Sequence, residues 1–296
     1  MKITRLPDVQ ERSDGRSVAV GTFDGVHLGH REVIEGSNSV LTFDPHPVSV
    51  VAPQHTPKLL TALGRKAELI EALGVEELIV IPFDAGFATR TADEFIDEVL
   101  VGALGARRVA IGENFRFGHK AQGDPRLLAA DGRFVTVVHP LLEADGEIVS
   151  SSHIRGLVLA GEVAPAAELL GAPFQLRGEV VHGDELGREL GFPTANLVPD
   201  ELLACPGHGV YACLADGRPA AVSIGVRPTF QTGRGELIEA YILDFDGDLY
   251  GRDLRLDFLE RLRGERRFET PEALIEQMHS DVERTREIAQ SVAQVD

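Results

Sequence analysis

The chain has 296 residues, 43% hydrophobic and 26% charged, which is long enough for two folded cores and too apolar for extensive disorder. Lys plus Arg total 29 against 47 Asp plus Glu, and the resulting net charge of -18 disfavours a nucleic-acid partner while leaving room for a small anion held by local dipoles and cations. Two cysteines, Cys205 and Cys213, exclude a disulfide framework, and neither a signal-peptide core nor a run near ~20 apolar residues occurs, so a cytoplasmic protein without a membrane partner is expected.

From Ser17 to about Val149, short β-branched runs alternate with helical patterns. Strands are predicted at Ser17–Val20, Ser39–Phe43, Leu78–Pro82, Arg108–Gly112 and Phe134–Val138, and helices at Arg65–Leu73, Thr91–Leu100 and Asp124–Ala130. Thr91 followed by Glu94 has the spacing of a capping box. The alternation predicts a parallel, doubly wound sheet, whose ligands gather beyond the carboxyl ends of its strands.

The first strand runs into Gly21 to His30, which reads G-T-F-D-G-V-H-L-G-H. An apolar strand, a glycine-rich turn and histidines at the mouth of a helix make a phosphate site, because free N–H groups and the helix dipole favour negative charge there. A helix starting near Val26 would turn His27 and His30, spaced i and i+3, toward one anion. Two surface histidines beside a loop would give the same letters; the preceding strand, the turn and Asp24, in that order, favour the site. Thr42 to Pro47 follows the second strand, where Asp44-Pro45-His46-Pro47 reads as a rigid turn. Gly112 to Gly118 follows the fourth, and there Phe115 and Phe117 suit a flat ring while Asn114 and Arg116 suit phosphate.

Ser152 to Gly171 reads as two short helices, with Gly161 stopping the first and Pro165 beginning the second. The expected domains are 1–150 and 173–296, joined by a helical linker over 151–172. Beyond Pro173, strands are predicted at Phe174–Val181, Gly209–Leu214, Ala220–Gly225, Leu237–Phe245 and Arg252–Arg261, a spacing that suggests an antiparallel barrel. Thr270-Pro271-Glu272 opens a long helix to about Val292, whose stripe of Leu274, Ile275, Met278, Val282 and Ile288 is expected to pack on the barrel. Gly183 to Asn196 reads as a loop whose backbone approaches a ligand, and Thr194 and Asn196 offer oxygens suited to magnesium and phosphate.

The first-half motifs, in this order, resemble the FMN adenylyltransferase module of the bacterial bifunctional riboflavin kinase/FAD synthetases. Gly187 to Asn196, G-R-E-L-G-F-P-T-A-N, closely resembles the riboflavin kinase signature, and Ser223–Phe230 and Glu239–Phe245 with Leu249-Tyr250-Gly251 look like the blocks that follow it. The resemblance implies an α/β nucleotidyltransferase-like parallel sheet followed by an antiparallel β-barrel with a long terminal helix. It also implies riboflavin, FMN and ATP as small-molecule substrates and magnesium as cofactor, with the oligomeric state left open.

By position, the resemblance implies that Gly21, Thr22, Phe23, Asp24, Gly25, Asn114, Ser151, Ser152 and Arg155 bind ATP, and that His27 and His30 stabilise charge on the reacting phosphates. Phe43, Asp44, His46 and Phe115 would lie near the flavin. Gly183, Gly187, Arg188, Thr194 and Asn196 would hold the second ATP; Thr194, Asn196 and Asn114 would meet the metal; and Glu239 would take the proton of the riboflavin 5′-hydroxyl. Two departures stand out. Only Arg31 to Asn38 separate the histidines from the next strand, and Val149-Ser150-Ser151-Ser152-His153-Ile154-Arg155 places Ser152 and His153 where the family's I-S-S-T-R-I-R has threonine and arginine. They define an alternative, a kinase whose first domain is weakened or inactive; a non-catalytic flavin-binding protein is a more distant one.

Overall fold

A computed structural model describes every residue except 11, 13, 183–191, 227–235 and 294–296. The chain divides into two compact units, Met1–Ser151 and Ser152–Asp296.

In the first unit, β2 (Arg16–Val20), β3 (Ser39–Asp44), β4 (Glu77–Pro82) and β5 (Ala106–Gly112) form the centre of a parallel sheet, with β1 (Lys2–Arg5) and β6 (Val135–His139) at its edges. The order among the described residues is β1-β4-β3-β2-β5-β6. Side chains alternate faces, so Val18, Val20, Leu41, Ile79 and Ile81 join one buried cluster while Ala19, Val40, Leu78 and Val80 join another. The second cluster is closed by α1 (Leu28–Ile34) and α3 (Leu63–Glu71), which bury Val33, Ile34, Ala67 and Ile70. The first is closed by Phe95, Ile96, Val99 and Leu100, on a π-helix (Phe95–Ala103) that continues α4 (Ala92–Glu94), and by Leu128 on α5 (Pro125–Ala130). Strand order reverses between β2 and β5, so the segments leaving these two strands meet in the crevice where doubly wound sheets bind ligands.

Several local expectations change. The helix after the glycine-rich turn starts at Leu28, because Val26 takes φ of 43° and cannot begin a right-handed helix. With seven residues, it has about two turns. The segment expected as a rigid turn continues into a short helix, α2 (Pro47–Val51), with His46 as N-cap and Pro47 in its first turn. Strand β1 was not predicted, nor was the hairpin of β7 (Glu143–Ala144) and β8 (Glu147–Ile148). Thr91 and Glu94 form the expected capping box.

In the second unit, α6 (Ser151–Ala160) ends at Gly161, where φ is 83°, and α7 (Val163–Leu170) follows. Pro165 does not begin α7; it is its third residue, where the missing N–H still costs nothing. Both α7 and the long α8 (Pro271–Ala293) pack on a closed antiparallel barrel. The barrel consists of β9 (Phe174–Val181), β10 (Ala195–Pro199), β11 (Gly209–Ala215), β12 (Arg218–Val226), β13 (Glu236–Ile242) and β14 (Asp253–Arg263), closing in the order β10-β13-β12-β11-β14-β9. The loop expected to run to Asn196 gives way to strand β10 at Ala195, and β13 stops three residues before the expected Phe245 because the chain turns through Asp244 at φ of 55°.

At the amino ends of the parallel strands, the buried guanidinium of Arg16 donates to Glu77 Oε2 at 3.1 Å, Leu104 O at 2.9 Å and Gln10 O at 2.7 Å. Thr4 donates to the other Glu77 oxygen at 2.9 Å. Arg16→Ala takes from the Glu77 carboxylate its one buried cation among the described residues, leaving Thr4 and the exposed Lys2, at 3.8 Å, and is expected to lower stability by about 3 kcal/mol. A urea midpoint equal to that of the parent protein would contradict this.

Candidate active sites

The turn after β2 is fastened from beneath. Asp24 is buried, and its Oδ1 accepts the amides of Leu60 at 2.8 Å and Thr61 at 3.1 Å. Thr61 Oγ1 accepts the Gly25 amide at 3.1 Å, Leu41 O accepts that of Gly21 at 3.1 Å, and Ser151 Oγ donates to Asp24 O at 2.9 Å. The polar groups of Gly21, Asp24 and Gly25 that make these bonds therefore hold the turn itself. Thr22 offers its carbonyl to Thr42 Oγ1 at 3.1 Å and to Lys66 Nζ at 2.7 Å. Phe23 is a core residue, although its φ is 48°.

These bonds present a histidine pair. The His27 and His30 rings stack at 3.5 Å and 17°, with Phe23 edge-on to His30 at 5.3 Å. His27 is the N-cap of α1, and its Nδ1 accepts the His30 amide at 3.3 Å, so the proton of the neutral ring sits on Nε2, free to donate. Burial lowers His27 to about 4. His30 is held well below the usual imidazole value, first by burial and then by the charges of His27 and Lys66. Its Nδ1 is buried without a hydrogen-bond partner. At neutral pH the pair therefore meets an anion as hydrogen-bonding imidazoles, and the basic group beside them is Lys66, which sequence reasoning missed.

The other expected residues of this unit lie at the carboxyl ends of strands. Asn114 and Asp44 are exposed. Phe43 packs edge-on to Phe83 at 5.8 Å, Phe115 stacks with Phe117 at 5.6 Å, and His46 caps α2 through Nδ1. Ser152, His153 and Arg155, also expected at this ATP, belong to the second unit and lie on its α6.

In the second unit, strand register assembles the site. Asn196 on β10 stands opposite Glu239 on β13, which stands opposite Ser223 on β12, then Val210 on β11 and Arg263 on β14. Directly opposed residues share a face at about 4.5–5.5 Å between Cβ atoms. Glu239, Ser223 and Arg263, with Thr194 and Phe192, line a 270 Å³ cavity that Leu274, Met278 and Val282 of α8 roof over. Helix and barrel are joined there by a bidentate pair: Arg263 Nε lies 3.0 Å and Nη2 2.8 Å from Asp281 Oδ2. Phe192 is set by edge-on contacts with Tyr241 at 5.2 Å and His279 at 5.1 Å. The apolar stripe of α8 thus packs on the barrel and also walls the cavity.

A second cavity of 390 Å³ is lined by Val180, Ala195, Asp246, Asp248 and Tyr250, and Thr194 borders it as well. Tyr250 stacks on His182 at 3.7 Å. Asn196 is buried, and its carbonyl Oδ1 has no hydrogen-bond partner. An orphaned acceptor two residues from a hydroxyl at the junction of two cavities fits a hard cation such as magnesium. The expected positions Gly183, Gly187 and Arg188 lie outside the described residues.

Comparison with known proteins agrees with this division. A family model for FAD synthetase matches residues 9–153, and one for riboflavin kinase matches 170–289. The bifunctional riboflavin kinase/FMN adenylyltransferase of Listeria monocytogenes is 37% identical over 286 residues, covering 91% of each chain. Its counterpart from Escherichia coli K12 is 36% identical over 291 residues, covering 92% of each. The crystal structure of Macrolide-efflux Protein from Streptococcus pneumoniae, 31% identical, covers 97% of this chain and 99% of that one at a TM-score of 0.87. Among the described residues, no helix here is long and apolar enough to cross a membrane.

The depressed histidines give an acid dependence. The unfolded chain binds protons near 6.5 while folded His27 resists them down to about 4, so its contribution is complete above pH 6.5 and is lost as pH falls through that window. Full loss amounts to about 3 kcal/mol at ~1.4 kcal/mol per pKa unit. The urea midpoint is expected to drop between pH 7 and 4.5, and to drop less in His27→Gln; equal drops would show that His27 titrates normally.

Proposed function

Because the chain belongs to the bifunctional riboflavin kinase/FMN adenylyltransferase family, we propose that its two compact units divide the family's reactions, with adenylyl transfer at His27 and His30 and phosphorylation at Glu239. The protein is an ATP-dependent transferase that converts riboflavin to FMN, then FMN to FAD with release of pyrophosphate. The observation that carries the assignment of the kinase site is the register that sets Asn196, Glu239 and Ser223 in one row beside a cavity.

The cavity under α8 suits the flavin: Phe192, Leu274, Met278 and Val282 offer apolar walls to a flat ring system, and Glu239 reaches the end where a hydroxyl needs a base. ATP then occupies the neighbouring cavity, with Thr194 where the two meet. Thr194 Oγ1 and Asn196 Oδ1 would hold magnesium, which when bound supplies positive charge to the transferring phosphate. Glu239 takes the proton of the riboflavin 5′-hydroxyl while that oxygen forms its bond to the γ-phosphorus, and the bond to the β,γ-bridging oxygen breaks to leave ADP.

In the first unit, a phosphate oxygen of FMN attacks the α-phosphorus of ATP and pyrophosphate leaves with the electrons of the broken P–O bond. His27 Nε2–H donates to the phosphate oxygens as charge shifts between them. Asn114 borders the same crevice, and Phe43, Asp44, His46 and Phe115 supply aromatic and polar surface for the flavin. The two-turn α1 still places both rings in one stack, and relatives matched along more than nine-tenths of the chain are bifunctional, which favours two working steps over a kinase with an idle first domain. Cys205 and Cys213 are both buried and neither forms a disulfide, which suits a reducing cytoplasm.

With riboflavin, ATP and magnesium supplied and flavins separated by chromatography, joint replacement His27→Ala/His30→Ala is expected to abolish FAD while FMN still accumulates. Normal FAD formation would refute the histidine assignment. Glu239→Gln is expected to slow FMN formation by about 10²–10⁴-fold, the range for a lost general base; a loss below about threefold would point to another base.

A further inference from the structure

Lys66 is 8% exposed, on a helix whose other charged side chains face solvent or pair there, as Arg65 does with Glu68. An ammonium is among the costliest groups to bury, and a carboxylate is its usual compensation. Here the hydrogen bond goes to a neutral oxygen, the Thr22 carbonyl, at 2.7 Å. The nearby acids are Asp24, whose Oδ1 accepts two backbone amides, and Asp44, exposed at the end of β3. Burial lowers the affinity of Lys66 for its proton while Asp24 and Asp44 raise it. The groups acting on this charge are thus Asp24 from the turn, Asp44 from β3, and His30 of α1, which is stacked on His27.

The geometry points to Lys66 as a positioning residue for adenylyl transfer: its buried amine holds the Thr22 carbonyl under the glycine-rich turn and brings positive charge to the histidine pocket toward incoming phosphates. This rests on the assignment of that reaction to His27 and His30. The imidazoles can donate hydrogen bonds as neutral groups while a separate basic group answers the phosphate charge. A substrate pair bearing an FMN phosphate and a triphosphate is the anion that such a charge suits.

The test uses the full chain with FMN, ATP and magnesium, and FMN formation from riboflavin as internal control. Lys66→Met removes both tether and charge; Lys66→Gln keeps an amide donor for Thr22 without the charge. Both are expected to slow FAD formation about tenfold or more while FMN formation is unchanged. Melting temperature should not fall, since a buried charge has been removed. Without the cation His30 binds protons more readily, so the acid limb of kcat/KM for FAD formation should move up by about half a pH unit or more. A parental FAD rate in Lys66→Met, rescue by Lys66→Gln, or an unmoved acid limb would each overturn the proposal. Normal FAD formation by His30→Ala measured alongside would instead dismiss the histidine site, and Lys66's role with it.

Discussion

Asp24 is the pivot of the first unit. Phe23, Gly25 and Val26 all have positive φ, which non-glycine residues avoid at a cost of order 1–3 kcal/mol each. Such a turn persists only if something over-determines it. The Asp24 carboxylate does so by tying the turn to Leu60 and Thr61, with Thr61, Leu41 and Ser151 adding further bonds. The strain has a use: with Val26 bent away from helical geometry, α1 starts two residues later, and His27 becomes a cap whose ring lies flat on His30. A relaxed turn would have put the rings elsewhere.

The second unit reaches a similar end by different means. Its site is fixed by pairing register, because a one-residue slip of β10 or β13 would send Asn196 or Glu239 to the opposite face. Closure of the barrel removes free edges along which such a slip could begin. The Arg263–Asp281 pair then locks α8 over the row and completes the cavity. Loss of either partner would leave a buried charge uncompensated, so the roof is attached as firmly as the floor.

Much of this could be read from the amino-acid order. The parallel sheet, the barrel and the terminal helix follow from hydrophobic periodicity and spacing, the candidate histidines, Thr194 and Asn196 are marked by local motifs, and Glu239 is marked only by the family resemblance of its flanking block. What escaped depends on distant partners. Strand β10 begins after Pro193, carries Asn196 and ends at Pro199, residues that signal a loop; its neighbours β9 and β13 make it a strand. Strand β1 has four residues and is held by β4, far along the chain. Lys66 looks like any solvent-facing lysine of an amphipathic helix, and only folding brings Thr22 to it. Asp24 and Gly25, expected to meet ATP, use the Oδ1 and the amide described above within the turn, since a motif says where polar groups gather and not which of them the protein itself consumes.

Thr194 borders two cavities at once. If one chamber takes the alcohol and the other the nucleotide, neither has to vacate its place for the other, and the transferred group crosses the wall between them while both are seated. Such an arrangement calls for a ternary complex and sequential steady-state kinetics, with no phosphorylated enzyme between two half-reactions. It also lets each product retreat through the chamber by which its parent arrived.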